Sequence, residues 1–197
     1  HANNTQSLDT QSTYQNNQFD QIIIFASSNN VFNKDQTFKK LDVDYLILGT
    51  TPMRVGAHLT IEPGVKMIFG NSSGLNLTSD GALTAKGTQD QPIFFTGREK
   101  SKGYWDGIQI TSDSEDNIID HAVIEYAGEL SGFTKAALTY SHNAKGVISN
   151  TTITNSQTYG LAYSIREGMA ASLTIGENMI FGENIDTDIF TYATISL

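Results

Sequence analysis

The sequence of 197 residues contains no cysteine and no long apolar run. The absence of cysteine excludes a disulfide scaffold, a thiolate metal site and a cysteine nucleophile. A membrane-spanning helix needs about 18 or more consecutive apolar residues, and no run in this chain approaches that length. We therefore expect no membrane insertion of this chain.

Charged residues are also few, at 17% of the chain, and 12 Lys and Arg against 21 Asp and Glu give a formal net charge of −9. Nucleic acid is excluded as a partner and anionic membrane surfaces are disfavoured, because binding to phosphates needs clustered cations. The basic concentration at Arg98, Lys100 and Lys102 is interrupted by Glu99, and we interpret it as a solvated loop. The remaining composition, polar but uncharged, is typical of turn-rich β proteins and of many secreted ones, which predicts a secreted or cell-surface location.

Short apolar runs, each ended by Gly, Asn, Asp or Pro-Gly, fill the chain from residue 21 onward. Residues 59–87 (LTIEPGVKMIFGNSSGLNLTSDGALTAKG) show this pattern, and its first part returns at 173–184 as LTIGENMIFGEN. The turns between most runs are too short to hold the helices of βαβ crossovers. The similar runs GIQI, AALT and GLAY begin at residues 107, 136 and 160, at intervals of 29 and 24 residues. Weak repetition of roughly this period predicts a solenoid.

A parallel β-helix explains both the short runs and their breaks. Each coil contributes three short strands that stack on those of the previous coil, with inward aliphatic side chains in ladders and Gly or Asn at corners of positive φ. Pro63-Gly64 predicts a type II turn. Asn117 and Asn150 are candidates for corner residues that bridge neighbouring coils by side-chain hydrogen bonds.

The two ends of the chain differ in composition. Residues 1–20 are rich in Asn, Gln, Ser and Thr, which predicts a flexible arm. Residues 21–197 form the predicted β-helix domain, in which residues 21–44 are a candidate N-terminal cap. The final segment IFTYATISL (189–197) is an apolar strand pattern. We interpret it as a cap or as part of a longer chain, in preference to a dimer contact, so the predicted state is a monomer or part of a longer chain.

Four segments, taken in order, resemble a known family: LTIEPGVKMIF (59–69), DGALTAKGTQDQPIFFTG (80–97), GYWDGIQI (103–110) and NIIDHAVIEYAG (117–128). The family consists of right-handed parallel β-helix domains with the pectin-lyase-like fold, found in secreted and surface proteins of bacteria. The resemblance covers about residues 45–164. It implies an all-β, single-stranded right-handed parallel β-helix, here of about six or seven coils, and it implies no particular activity.

Polysaccharide lyases and glycoside hydrolases share this fold, so an enzyme is the first alternative. The hydrolases combine Asn-x-Asp, Asp-Asp, Gly-His-Gly and Arg-x-Lys motifs, and that combination is absent. The lyases use an Arg or Lys base beside calcium-bound acids, and this chain has few arginines, namely Arg54, Arg98 and Arg166. We therefore predict a non-enzymatic module for adhesion or for glycan or surface binding. A polysaccharide-active lyase or hydrolase and a structural spacer of a larger surface protein remain the alternatives.

Five residues are candidates for ligand binding. Tyr104, Trp105 and Asp106 could form a platform on which a sugar ring stacks, although Trp105, the single tryptophan, could instead fill the interior of the β-helix. Glu125 and Tyr126 lie in a predicted strand whose alternation places one of them outward, where it would either line a groove or simply face solvent. The predicted partner is a polysaccharide or a surface protein.

An acidic stretch is the weaker candidate, as a site for Ca²⁺. Asp113, Glu115 and Asp116, followed by Asp120 and His121, offer the carboxylate oxygens that calcium prefers. The stretch lacks the fixed Gly and terminal bidentate acid of calcium loops. We therefore favour a solvated acidic turn and predict neither a metal site nor a cofactor.

Overall fold

The computed structural model describes residue 5 and residues 7–26, 32–78, 81–128 and 136–193, and these contain β-strands and no α-helix. In these described ranges, nineteen strands form three parallel sheets. Sheet A contains β1 (Gln21–Ala26), β3 (Asp44–Gly49), β6 (Lys66–Phe69), β9 (Ile93–Gly97), β12 (Ala122–Glu125), β15 (Thr152–Thr154) and β18 (Ile180–Gly182). Sheet B contains β4 (Met53–Val55), β7 (Gly74–Leu77), β10 (Gly107–Ile110), β13 (Ala136–Tyr140), β16 (Tyr159–Ser164) and β19 (Ile189–Tyr192). Sheet C contains β2 (Gln36–Phe38), β5 (His58–Ile61), β8 (Ala82–Lys86), β11 (Ile118–Asp120), β14 (Lys145–Ser149) and β17 (Ser172–Ile175).

The chain visits the sheets in the order A, B, C about six times, so each strand pairs with the strand one coil earlier and the strand one coil later. This arrangement is the predicted right-handed parallel β-helix. Among the described residues, no helix is long and apolar enough to cross a membrane.

The core is built from ladders of inward side chains, one from each coil. In sheet A, one ladder runs through Tyr45, Met67, Phe95, Ile124 and Ile153, all of them buried. Because successive side chains of a strand point to opposite faces, every second residue of each short run lies inside the coil. The alternation read from the sequence is therefore confirmed as the inner wall of the solenoid.

The corners have the chemistry that the sequence predicts. Gly64 has φ 75°, and the N–H of Val65 donates to the carbonyl of Glu62 at 3.3 Å, as a turn centred on Pro63-Gly64 requires. Asn150 has φ 47° and accepts a hydrogen bond from Asn178, one coil further on, at 2.8 Å.

Asn117 bridges coils on both sides. Its Oδ1 accepts from the N–H of Leu83 at 3.1 Å, and its Nδ2 donates to the carbonyl of Lys145 at 3.0 Å. Leu83 and Lys145 belong to the preceding and the following coil. Both predicted corner asparagines therefore connect neighbouring coils.

The N-terminal end of the solenoid is covered by the described residues that precede β1. Leu8 and Tyr14 pack against the core. The N–H of Tyr14 donates to the carboxylate of Asp42 at 3.0 Å, and Lys39 Nζ donates to the carbonyl of Leu8 at 3.0 Å. Within residues 21–44, β1 and β2 continue the ladders of sheets A and C, while the division into an arm (residues 1–20), a cap and a β-helix domain stays a prediction. Residues 1–4 and 6 lie outside the described part.

Candidate ligand groove

A groove with a volume of about 470 Å³ lies on the outer face of sheet A. Its floor comes from β6, β9 and β12, and one side is formed by the segment that follows β9. The lining residues are Gln21, Lys66, Ile68, Phe94, Thr96, Gly97, Arg98, Lys100 and Glu125.

Parallel register brings these distant residues together. Lys66 lies opposite Phe94, and Ile68 lies opposite Thr96, which in turn lies opposite Glu125. Since Met67 and Phe95 point into the core, their chain neighbours point outward. The groove is thus a patch of outward positions on three successive coils.

The groove is locally cationic in a chain of formal net charge −9. Its lining includes three cations, Lys66, Arg98 and Lys100, and one carboxylate, Glu125. Lys66 forms an ion pair with Asp44 at 3.3 Å. Arg98 and Lys100 are exposed. Anionic groups of a ligand would therefore meet positive charge here, and not on the acidic remainder of the surface.

The carboxylate of Glu125 is held in place by the neighbouring coil. Thr96 donates its hydroxyl hydrogen to Glu125 Oε1 at 2.7 Å. A fixed carboxylate beside cations can accept hydrogen bonds from the hydroxyl groups of a sugar. The half-buried ring of Phe94 adds an apolar surface to the same floor. The predicted candidate Glu125 thus lines a groove.

Trp105 lies in the core, which corrects the prediction of a sugar-stacking platform. Its side chain is fully buried and stacks on Phe69 with ring centroids 4.1 Å apart and an angle of 6° between the planes. The indole N–H donates to the backbone carbonyl of Glu125 at 2.8 Å. Asp106 is also buried, so neither residue presents its side chain to a ligand. The interior position that the sequence left as the alternative for Trp105 is the observed one.

The two tyrosines of the prediction lie next to each other without lining the groove. The N–H of Tyr104 donates to the carbonyl of Tyr126 at 2.9 Å, and both side chains are half-buried. Tyr126 has φ 65° and packs against the core. Their backbones join the segment after β9 to the corner after β12, which fixes one side of the groove.

The acidic stretch lies away from the groove, in the connection between sheets B and C. Asp113, Glu115 and Asp116 are exposed, and Glu115 pairs with Lys145 at 2.9 Å. Within the described ranges, no group of three or more His, Cys, Asp and Glu side chains could hold a metal ion. The expectation of a solvated acidic turn without a bound metal stays a prediction.

Asp120 belongs to a chain of side-chain hydrogen bonds at a corner. Its Oδ1 accepts from Ser149 and from Asn150, each at 2.8 Å, and its Oδ2 lies 3.1 Å from Nδ1 of His121. Partial burial alone would raise the pKa of Asp120, but the hydrogen bonds from Asn150 and Ser149, with the nearby His121 ring, outweigh burial and lower it. This network joins two coils and is structural.

Two of the groove's cations belong to the segment that the sequence analysis interpreted as a solvated loop. The Arg-x-Lys spacing of Arg98 and Lys100 was a usable signal, since the same motif occurs in the hydrolases of this fold. Lys66, Phe94 and Thr96 carried no comparable signal, because only the register between coils places them side by side.

The fold defines a class of protein, the right-handed parallel β-helix domains. A sequence model described as "Pectate-lyase like beta helix domain" matches residues 30–142, more than half of the chain. The chain therefore belongs to this pectate-lyase-like β-helix family. No curated protein and no solved structure matches it in sequence or structure comparisons.

Proposed function

We propose that this protein is a non-catalytic, secreted or cell-surface module that binds an acidic polysaccharide in the groove on sheet A. The observation that carries the proposal is the cluster of Lys66, Arg98 and Lys100 around a partly apolar floor, in a protein that is otherwise acidic. Guanidinium and ammonium groups bind carboxylates strongly, and arginine can do so with two parallel hydrogen bonds.

The family supports the same class of ligand. The family is named for its likeness to pectate lyases, and pectate is a polymer of uronic acids. A groove on the flank of a solenoid is open along the sheet, so that an extended chain can lie across successive coils. The polar but uncharged composition of the chain supports a location outside the cell.

The small number of carboxylates in the groove supports binding in preference to hydrolysis. Glycoside hydrolases use two carboxyl groups at a fixed separation, and Glu125 is the single carboxylate among the groove's lining residues. Elimination by a lyase is the second candidate, because Arg98 and Lys100 are residue types that lyases of this fold use as a base. Binding and elimination differ in one observable, because only elimination forms an unsaturated product that absorbs ultraviolet light.

The test is isothermal titration of the full chain with oligogalacturonate, with a neutral glucan oligomer as the control ligand. We expect binding of oligogalacturonate alone. Arg98→Gln should weaken it at least about tenfold, the lower end of the range for a hydrogen bond between charged groups. Arg54→Gln is the matched control, since Arg54 is an equally charged, exposed arginine on the outer face of sheet B.

The outcomes distinguish a specific site in the groove from general electrostatic attraction and from a lyase. Equal weakening by both substitutions would overturn the groove as the site, because general electrostatic attraction would then explain the binding. An increase in ultraviolet absorbance from an unsaturated product, abolished in Arg98→Gln, would establish the lyase. No binding of the acidic oligomer would overturn the proposal.

A further inference from the structure

We propose that the ligand of the groove is amphiphilic: an anionic saccharide that carries an alkyl or acyl chain, with the sugar among the cations and the chain along an apolar strip beside them. This inference rests on the proposed function and adds the apolar half of the ligand. We define the apolar strip as the apolar ones among the outward residues of the first three strands of sheet A, namely Ile23, Phe25, Leu46, Leu48 and Ile68.

The strip follows two rows of paired positions. Ile23 lies opposite Leu46, and Leu46 lies opposite Ile68. Further along the same row the outward residues become polar, with Thr96, then Glu125. An outer wall that faces water is ordinarily polar, so the change from apolar to polar along one row separates two chemical environments on one face.

The strip is accessible at its outer end. Ile23 is 39% exposed and Phe25 is 66% exposed, although both belong to a strand of the solenoid wall. Leu48 and Ile68 are half-buried, and Leu46 is enclosed by its neighbours. A contiguous outward apolar surface of this kind marks a binding site more often than an isolated exposed residue does.

The strip and the groove are continuous. Ile68 belongs to both, and Gln21, at the start of β1, also lines the groove. The absence of a side chain at Gly70 leaves room for Leu48, since a Cβ atom at Gly70 would lie 2.9 Å from Leu48 Cδ2. Leu48 therefore extends the apolar surface toward Arg98, which follows Phe69 and Gly70 by one coil.

Charge and distance select the ligand class. Arg98 and Lys100 follow β9, at the polar end of the rows, which favours an anionic head group there, while the strip offers only apolar contact. Strands of a sheet lie about 4.8 Å apart, so β9 and β1 are separated by roughly 14 Å. That span matches the reach of an octyl or decyl chain attached to a single sugar.

The experiment compares four probes by isothermal titration of the full chain below micelle-forming concentrations: glucuronate, butyl β-D-glucuronide, octyl β-D-glucuronide and the uncharged octyl β-D-glucoside. We expect affinity to rise at least about threefold for every two carbons, since each methylene is partly removed from water. Octyl glucoside should bind much more weakly than octyl glucuronide because it lacks the anionic group.

Two matched variants locate the apolar contact. Ile23→Thr should weaken the binding of octyl β-D-glucuronide but not that of butyl β-D-glucuronide or glucuronate, because only the longer chain reaches β1. Ile180→Thr is the control, because Ile180 is also an outward residue of sheet A, 61% exposed, on its last strand. It should behave like the unsubstituted protein.

The outcomes are distinguishable from those that bear on the proposed function. Glucuronate binding without any dependence on chain length would overturn the amphiphilic ligand and leave the acidic-saccharide module intact. Equal binding of octyl glucoside and octyl glucuronide would overturn the coupling of charge to chain. A dimer in sedimentation that Ile23→Thr converts to a monomer would show that a second copy covers the strip, which also overturns the inference.

Discussion

The indole nitrogen of Trp105 donates a hydrogen bond to the backbone carbonyl of Glu125 across 2.8 Å. This bond connects the interior of one coil to the end of the β12 strand, whose last side chain lines the groove on sheet A. The single tryptophan thus supports the candidate site from inside, although it cannot touch a ligand.

Substitution of Trp105 tests this supporting role. Trp105→Phe keeps an aromatic ring against Phe69 but leaves the Glu125 carbonyl without its donor, and we expect the free energy of unfolding to fall by about 1–3 kcal/mol. Trp105→Ala also creates a cavity and should cost about 3–5 kcal/mol. Urea unfolding measures both. Phe19→Ala, at an exposed aromatic, should stay within about 0.5 kcal/mol. An unchanged Trp105→Phe would show that the hydrogen bond is unimportant.

Asn117 should be among the polar residues most costly to remove. It is fully buried, and besides its bonds to Leu83 and Lys145 its Nδ2 donates to the carbonyls of Ser112 and Ser114 at 3.1 and 2.9 Å. Asn117→Ala removes all of these side-chain bonds and leaves the buried N–H of Leu83 without this acceptor, so we expect a loss of about 2–4 kcal/mol in unfolding free energy. Asn178→Ala, at an exposed asparagine of another corner, should cost less than about 1 kcal/mol. Similar losses at the two positions would contradict the prediction.

Two buried tyrosines should respond in opposite directions to the same change. The hydroxyl of Tyr140 is buried and has no hydrogen-bond partner among the described residues, so Tyr140→Phe should raise the free energy of unfolding by about 1 kcal/mol. The hydroxyl of Tyr45 donates to the carbonyl of Lys39 at 2.8 Å, so Tyr45→Phe should lower it by a similar amount. Thermal unfolding of both variants checks the signs. A loss in both would indicate that Tyr140 has a partner.

The burial of Tyr140 should also affect how the free energy of unfolding depends on pH in the alkaline range. Burial raises the pKa of this phenol above its usual value of about 10. A raised folded-state pKa means that stability is complete below about pH 10 and falls as pH rises further, because only the unfolded chain ionises readily. Tyr140→Phe should therefore lose less stability between neutral and strongly alkaline pH than the unsubstituted protein. Parallel pH profiles of the two proteins would refute this.

The repeated strand pattern, the Pro63-Gly64 turn and the corner asparagines could be predicted from sequence because each depends on local chemistry. Alternation fixes which side chains point inward, and positive φ selects Gly or Asn. The groove could not be predicted in the same way. Lys66, Thr96 and Glu125 become neighbours only through the register of three coils, and register is a property of the assembled sheets. The contacts of Tyr14 with Asp42 likewise join two segments that share no sequence pattern.

Asp120 provides the last prediction, which concerns acid. Burial raises the pKa of Asp120, but hydrogen bonds from Asn150 and Ser149, together with the nearby His121 ring, lower it by more. A lowered folded-state pKa means that the carboxylate's contribution is complete above the unfolded value of about 3.9 and is lost as pH falls through the folded value. Because Asp120 is partly exposed, we expect this contribution to stay below about 1 kcal/mol.

An NMR titration of the Asp120 side chain is the direct measurement. The midpoint should lie below about 3.9 in the unsubstituted protein and move upward in Ser149→Ala, because the variant lacks one donor to the ionised carboxylate. Asp120→Asn should in turn show a flatter dependence of unfolding free energy on pH below that value. If Ser149→Ala left the midpoint unchanged, the bond from Ser149 would have no preference for the charged form. Asp120 would then owe its lowered pKa to Asn150 and His121 alone, and the corner between β14 and β15 would contribute less to acid stability than its geometry indicates.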